Sequence, residues 1–267
     1  MRIRAIALHT FASFLRNRVI IVVLALCVCV VLLMMTPLLA MKAMTTAANE
    51  AQMRATVLGL VSAIMFFVSG AGSLLAIWAA ADAVASELKA GTILAVMARP
   101  VKRWEYLLGK YLGVQMLLAV YVLVMFGLSL LLAALGGERI GTALWALIVY
   151  PMVRYAVYSA LAMLLVTFLH PLVTFAIGVV IATLALMLSP GPEPGTRIHE
   201  ILRTAGYALL PSTPLLSETR FYTLTQASLK QIGWLGHLTT LAYGLDYAFV
   251  CLLLAMWAFR HRSLTRD

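Results

Sequence analysis

Charged residues are scarce in this sequence: Asp, Glu, Lys and Arg make up 11% of its 267 residues, whereas hydrophobic residues make up 63%. Soluble domains carry about 25% charged residues, and the mean hydropathy here is +0.99. The shortage of charge excludes an ordinary soluble domain and indicates an integral membrane protein. A basic soluble domain that could bind nucleic acid is also missing, so we expect no nucleic-acid partner.

Cysteine and histidine are rare as well, with three Cys and five His. Cys27 and Cys29 lie about 200° apart around a helix, so they cannot readily share one metal ion. The histidines are scattered singly, without a His-Glu-x-x-His pattern, and the phosphate-binding loop Gly-x-x-x-x-Gly-Lys-Ser/Thr is absent. We therefore expect no disulfide framework, metal centre, cofactor or enzymatic activity in this chain.

Six long apolar runs dominate what is present. Continuous runs of about 20 residues match the hydrocarbon core of a bilayer when they are helical, and the absence of alternation argues against strands. The first run, 22 residues long, exceeds the apolar core of a cleaved signal, so we expect it to remain as an anchor. We predict an all-α integral membrane protein, a single transmembrane domain over 1–267, with spans at 19–40, 56–81, 106–135, 142–169, 172–188 and 238–259.

Basic residues concentrate on one side of these spans. An even number of spans places both termini on the same side, and twelve Lys and Arg residues lie there, against three in the short loops opposite. The positive-inside rule therefore predicts cytoplasmic termini in a multi-pass protein of the cell membrane. The twelve are Arg2, Arg4, Arg16, Arg18, Lys89, Arg99, Lys102, Arg103, Lys110, Arg260, Arg262 and Arg266; the three are Lys42, Arg54 and Arg139.

Two segments outside the spans have apolar content of their own. Residues 1–18 predict an interfacial helix with its apolar stripe in the membrane and its arginines toward lipid phosphates, or simply an amphipathic start to the first span. Residues 189–237 form a long outer segment, which we interpret as a lid, a docking site for an outer partner or a packed cap. The stripe of the first segment is Ile3, Ile6, Ala7, Thr10, Phe11 and Phe14.

The segment 82–105 is a polar island between the second and third spans. The helix of span two can continue past Asp82 to Gly91, which favours a helix end, and Thr92 can cap a new helix. That helix must stop before Pro100, because the residue before a proline leaves helical geometry. The result is a helix of about two turns, roughly 10 Å long. It presents Ile93, Leu94, Val96 and Met97 to the cytoplasm, which suggests a socket in another protein.

This island resembles the cytoplasmic loop of type-2 ATP-binding-cassette (ABC) transporter permeases. The resemblance rests on Glu87, Gly91-Thr92, Arg99-Pro100-Val101, Arg103 and Leu108-Gly109-Lys110, together with the six-span layout and the long outer segment. It implies that residues 92–98 form a coupling helix seated in an ATP-binding subunit. Glu87 would lie near the start of that helix, and Arg99, Pro100 and Arg103 would shape its exit.

The resemblance also implies partners and a mechanism. A six-span exporter permease is expected to pair with a second permease copy, in a homodimer, and with two cytoplasmic ATP-binding subunits. ATP hydrolysis then occurs in those subunits and moves the coupling helix, which switches access across the membrane. Two alternatives remain: an ATP-independent secondary transporter or channel, and a non-transporting membrane scaffold.

Charges inside the spans form a second candidate site. Arg154 lies near mid-depth in span four, where a charge costs at least about 2.5 kcal/mol, and Asp246 in span six is the acidic residue of comparable depth. We interpret the two as a structural ion pair or as part of a substrate pathway. Pro151 predicts a kink beside Arg154, and Tyr150, Tyr155 and Tyr158 surround it as candidate pathway residues.

Overall fold

The computed structural model describes residues 2–44, 50–90, 102–135, 144–187 and 234–261. The regular elements in these ranges are α-helices, which confirms the predicted fold class. The two-turn helix expected at 92–98 and nearly all of the outer segment, residues 189–233, lie outside the described residues. The helices are α1 (Arg2–Arg16), α2 (Arg18–Met44), α3 (Glu50–Ala90), α4 (Arg103–Leu135), α5 (Leu144–Val166), α6 (Pro171–Met187) and α7 (Trp234–His261).

Four helices are long and apolar enough to cross a bilayer. Their spanning parts are Phe66–Glu87 of α3, Arg103–Leu128 of α4, Ile148–Val166 of α5 and Trp234–Arg260 of α7. The bent pair α1 and α2 adds a fifth if it is one span, whereas α6, with 17 residues, falls short of the usual length. The described ranges therefore support four or five spans, and the count of six stays a prediction.

The chain bends sharply between α1 and α2, whose axes meet at 67°. Asn17 lies at the bend, where its backbone N–H donates to the Phe14 carbonyl at 3.0 Å. Its side-chain Oδ1 accepts a hydrogen bond from the Val19 N–H at 3.0 Å, so Asn17 caps the start of α2. The bend separates α1 from the axis of the following helix, as an interfacial position requires.

The apolar stripe of α1 packs against α4 of the same chain, and the interfacial position of residues 1–18 stays a prediction. Thr10 and Phe14 are buried where α1 packs along α4. A Cβ added at Gly109 would lie 2.8 Å from the Ile6 Cβ, and one at Gly113 would lie 2.6 Å from the Thr10 Cβ. Glycines four residues apart leave bare backbone on one helical face, which lets two helices approach closely.

The helices α3, α4 and α5 form the centre of the bundle, and α7 packs along α5. Small side chains of α3, including Ala76, Ala80 and Ala83, are buried in these contacts. α6 packs against α3, whereas α2 exposes apolar side chains such as Val22 and Leu26 on the periphery. This arrangement brings the ends of α3, α4 and α7 together next to the loop 91–101.

Candidate functional site

The loop that holds the predicted coupling helix is anchored at both ends by regular structure. α3 ends at Ala90, directly before Gly91, as the sequence predicts. Residues Gly91, Thr92, Ile93, Leu94, Val96, Met97, Arg99 and Pro100 lie outside the described residues, so their roles stay predictions. The described chain resumes at Lys102, one residue before α4.

The start of α4 is stabilised by its own first turn. The Glu105 carboxylate accepts a hydrogen bond from the Lys102 backbone N–H at 3.0 Å, and the Tyr106 N–H donates to the Lys102 carbonyl at 3.2 Å. A glutamate three residues after the capping position satisfies a free N–H in this way, and its charge also suits the positive end of the helix dipole. The end of the loop is therefore held in a defined place.

Glu87 joins the two helices that flank the loop. Its carboxylate accepts a hydrogen bond from the Tyr106 hydroxyl at 2.6 Å and forms an ion pair with Lys110. Tyr106 and Lys110 are one helical turn apart on α4, and the Lys110 ammonium lies 5.7 Å from the centroid of the Tyr106 ring. Because Lys110 is almost fully buried, moving Glu87 away would leave a buried ammonium without its counter-charge, which costs more than breaking a surface ion pair.

The same cluster reaches α7. The Tyr106 ring stacks on Phe259, with centroids 6.0 Å apart and planes at 17°. Arg103 Nη1 donates to the carbonyl oxygens of Phe259 at 3.2 Å and Arg260 at 3.0 Å, where the last turn of a helix leaves carbonyls free. We call Glu87, Arg103, Tyr106, Lys110 and Phe259 the loop junction.

The loop junction extends what the sequence predicts at this site. Arg103 was expected to shape the exit of the coupling helix. In the structure it lies at the start of α4, and its side chain binds carbonyl oxygens at the end of α7. The roles of Tyr106, Lys110 and Phe259 were not predicted. The available signal was the spacing of Tyr106 and Lys110, which share one face of α4 at the same end of the membrane as Glu87.

Arg154 is fully buried and binds α3 instead of Asp246. Its Nη2 donates to the Ser69 carbonyl at 3.2 Å and to the Ser69 hydroxyl, and its guanidinium lies 5.3 Å from the Tyr155 ring centroid. Asp246 is exposed on α7, and the ion pair within the described ranges joins Glu87 and Lys110. The predicted pair of Arg154 with Asp246 therefore does not form in this structure.

Two tyrosines surround Arg154 and also bind the backbone of α3. The Tyr155 hydroxyl donates to the Ser69 carbonyl at 3.3 Å, and the Tyr121 hydroxyl donates to the Val68 carbonyl at 2.6 Å. Gly72 makes this possible, because an added Cβ would collide with the Tyr155 hydroxyl and lie 2.7 Å from Tyr121 Cε1. We call Ser69, Tyr121, Arg154 and Tyr155 the Arg154 cluster.

The other predicted tyrosines occupy different surroundings. Tyr150 forms a 2.6 Å hydrogen bond with His237 Nδ1 near the start of α7, so His237 belongs to that helix and not to the outer segment. Tyr158 is buried one turn beyond Arg154 on the same helix. α5 continues through Pro151. The structure thus brings Tyr155 to Arg154 and directs Tyr150 toward α7.

Similarity to a known protein family identifies the class of this protein. The family described as ABC-2 family transporter protein matches residues 4–264. The chain belongs to this family. It is therefore a membrane permease of an ABC transporter, and the resemblance drawn from the loop 82–105 is confirmed. An ABC ATPase is the class of partner that accompanies an ABC-2 permease.

One curated relative is similar over part of this ABC-2 permease. The probable ABC transporter permease protein NosY of Stutzerimonas stutzeri is 35% identical over 94 residues, which cover 34% of this chain and 33% of NosY. The chain thus matches about a third of the length of this relative. A match of this extent agrees with the family.

Metal-ligating side chains do not gather in the described ranges of this ABC-2 permease, which hold no group of three or more His, Cys, Asp or Glu residues placed to bind a metal ion. Cys27 is buried and Cys29 is exposed, as expected for positions two apart on one helix. The chemistry available at the loop junction and the Arg154 cluster is therefore ion pairing and hydrogen bonding.

Proposed function

We propose that this chain is the permease subunit of an ATP-driven exporter and that residues 91–101 transmit movement from an ATPase to the membrane helices. The observation that carries the proposal is the loop junction. It joins α3, α4 and α7 at the point where the loop leaves and re-enters the bundle. A force applied to the loop thus acts on three helices together.

The mechanical argument depends on how firmly each end of the loop is held. A buried ion pair and a charge-assisted hydrogen bond on Glu87 resist separation of α3 from α4. The Arg103 contacts add the end of α7 to the same unit. A loop without such anchors would absorb the movement of an ATPase, whereas this loop passes it to α3 and α4.

The predicted coupling helix, residues 92–98, is the part of the loop that contacts the ATPase in this proposal. Ile93, Leu94, Val96 and Met97 are apolar side chains on a short segment that faces the cytoplasm in the predicted topology. Apolar side chains exposed to water are most stable when a partner covers them. A groove in an ATP-binding subunit supplies that cover, and Arg99 beside the helix can pair with an acidic rim.

The proposal includes an assembly and an orientation. Two copies of the chain pair with two ATP-binding subunits, because the six spans that the sequence predicts are half of the number expected for the family. The termini and the loop 91–101 face the cytoplasm in the cell membrane, in line with the excess of basic residues on that side. Residues 189–233 then face the outside, where they can act as a cap, a lid or a docking site.

Co-purification tests the proposal against the alternatives. The tagged chain is purified from membranes of its host, and bound ABC ATPase is measured by mass spectrometry and ATP hydrolysis. Leu94→Asp and Met97→Asp should abolish both signals, whereas the apolar controls Leu94→Met and Met97→Leu should retain them. Solute transport by the purified chain without ATP would instead identify a secondary transporter, and equal ATPase binding by all four variants would refute the role of the loop.

A further inference from the structure

Arg154 has more hydrogen-bond donors than the surrounding protein accepts. A guanidinium carries five N–H groups, and Arg154 uses Nη2 for both of its hydrogen bonds, to the carbonyl and the hydroxyl of Ser69. Nε and Nη1 are buried and have no partner within the described ranges. Three N–H groups of a charged side chain thus point into the bundle without an acceptor.

Acceptors near Arg154 are already heavily used. The Ser69 carbonyl accepts from Arg154 Nη2 at 3.2 Å, from the Tyr155 hydroxyl at 3.3 Å and from the Ser73 hydroxyl at 3.0 Å. A carbonyl oxygen has two lone pairs, so three donors share one acceptor. The hydroxyl of Tyr121 donates to the next carbonyl on α3, that of Val68. The Arg154 cluster is therefore rich in donors and poor in acceptors.

Within the described residues, no acidic side chain balances the charge of Arg154 at this depth. Arginine stays protonated in proteins, and Arg154 lies twelve residues before the end of α5 at Val166, which is about 18 Å along the helix. That distance exceeds half of a hydrocarbon core about 30 Å thick. Asp246 faces away on α7, and the Tyr155 ring, though it attracts the cation, carries no net charge.

We propose that the Arg154 cluster binds a small anion in the middle of the bundle. The shared chemistry is a compact negative group that accepts several hydrogen bonds from Nε and Nη1, either an inorganic halide or the carboxylate or phosphate group of a larger molecule. Such a group supplies both the missing acceptors and the missing counter-charge. This site is separate from the loop junction and does not depend on the proposed coupling to an ATPase.

The test is an anion series on the purified full chain in lipid nanodiscs without ATPase. Thermal unfolding is measured in a low-salt zwitterionic buffer and after stepwise addition of sodium chloride, bromide, acetate or phosphate at equal added ionic strength. An anion that binds the folded chain raises the midpoint by roughly 5 °C at a hundredfold excess over its Kd. A halide response identifies an inorganic ion, whereas a response confined to acetate or phosphate identifies the anionic group of an organic or phosphorylated ligand.

Two variants separate binding at this site from general salt effects. Arg154→Gln should lose the anion response, whereas Arg16→Gln, which removes an exposed cation of α1, should respond like the parent chain. If Arg154→Gln does not fold, anomalous diffraction from bromide-grown crystals of the parent chain decides, with a peak within hydrogen-bonding distance of Arg154 expected. Equal midpoints in all anions, an unchanged response in Arg154→Gln, or bromide peaks only elsewhere would overturn the proposal.

Discussion

The Glu87 carboxylate at the end of α3 accepts a 2.6 Å hydrogen bond from the Tyr106 hydroxyl at the start of α4. These two residues stand on opposite sides of the loop 91–101, so their bond closes the base of that loop. Lys110 completes the closure by pairing with the same carboxylate. The loop is thus an anchored insertion between two helices, and the strength of its base can be measured.

Replacing Glu87 with Gln should destabilise the chain by about 2–4 kcal/mol, because Lys110 is left buried without its counter-charge. The free energy of unfolding is measured by titration with SDS in mixed micelles. In the double variant Glu87→Gln/Lys110→Met no unpaired ammonium remains, so we expect it to recover more than half of the loss. The single variant Lys110→Met is measured in the same way. A double variant whose loss of stability equals the sum of the losses in the two single variants would show that the residues do not interact.

Replacing Tyr106 with Phe should cost about 1.5–3 kcal/mol, the usual contribution of a hydrogen bond to a charged group. The phenyl ring keeps the stack on Phe259, so the variant isolates the hydroxyl from the ring. Tyr106→Leu removes both interactions and should cost about 1 kcal/mol more. The same SDS titration measures both variants, and an equal loss in the two would assign the whole effect to the hydroxyl.

Gly109→Ala and Gly113→Ala should each destabilise the chain by about 1–3 kcal/mol, because the added methyl group forces α1 away from α4. Gly127→Ala is the matched control in the same helix, since a Cβ there meets nothing within 4 Å. Alanine favours helix over glycine, so the control should be neutral or slightly stabilising. Unfolding free energies and protease access to residues 2–16 provide the readout. Gly109→Ala and Gly113→Ala variants as stable as Gly127→Ala would contradict close packing of α1 on α4.

Gly72→Ala should disrupt the Arg154 cluster by displacing Tyr155 and Tyr121, with a loss of about 1–3 kcal/mol. Gly70→Ala is the control on the same helix, where an added Cβ meets nothing within 4 Å. Thermal unfolding in nanodiscs compares the two variants. Equal midpoints for both would mean that the close packing at Gly72 contributes nothing to stability.

Sequence patterns predicted the features that depend on length and local chain geometry. The end of α3 before Gly91 follows from the tendency of glycine to end a helix, and the burial of Arg154 follows from the cost of a charge in the membrane. Patterns did not predict which way each helix is turned about its axis. Ser69, one of many small polar residues, therefore went unnoticed as the partner of Arg154, and Asp246 was expected to face inward.

The same limit explains why α4 was not predicted as the partner of the α1 stripe. Its apolar stripe satisfies a lipid surface and a protein surface equally well, so periodicity alone cannot distinguish them. Gly109 and Gly113 were the sequence signal for a protein contact, since bare backbone on α4 favours a closely packed helix. The loop junction and the Arg154 cluster depend on contacts between residues that are far apart in the sequence, and local sequence patterns do not show such contacts.

Photo-crosslinking from the loop tests the central claim most directly. A benzoylphenylalanine placed at Met97 is irradiated in membranes that contain the complete transporter, and adducts are identified by mass spectrometry. The control is the same probe at Leu235, an exposed residue near the opposite end of the membrane. We expect a crosslink to an ABC ATPase from position 97 and none from position 235. No ATPase adduct from position 97, or equal adducts from both positions, would contradict the account.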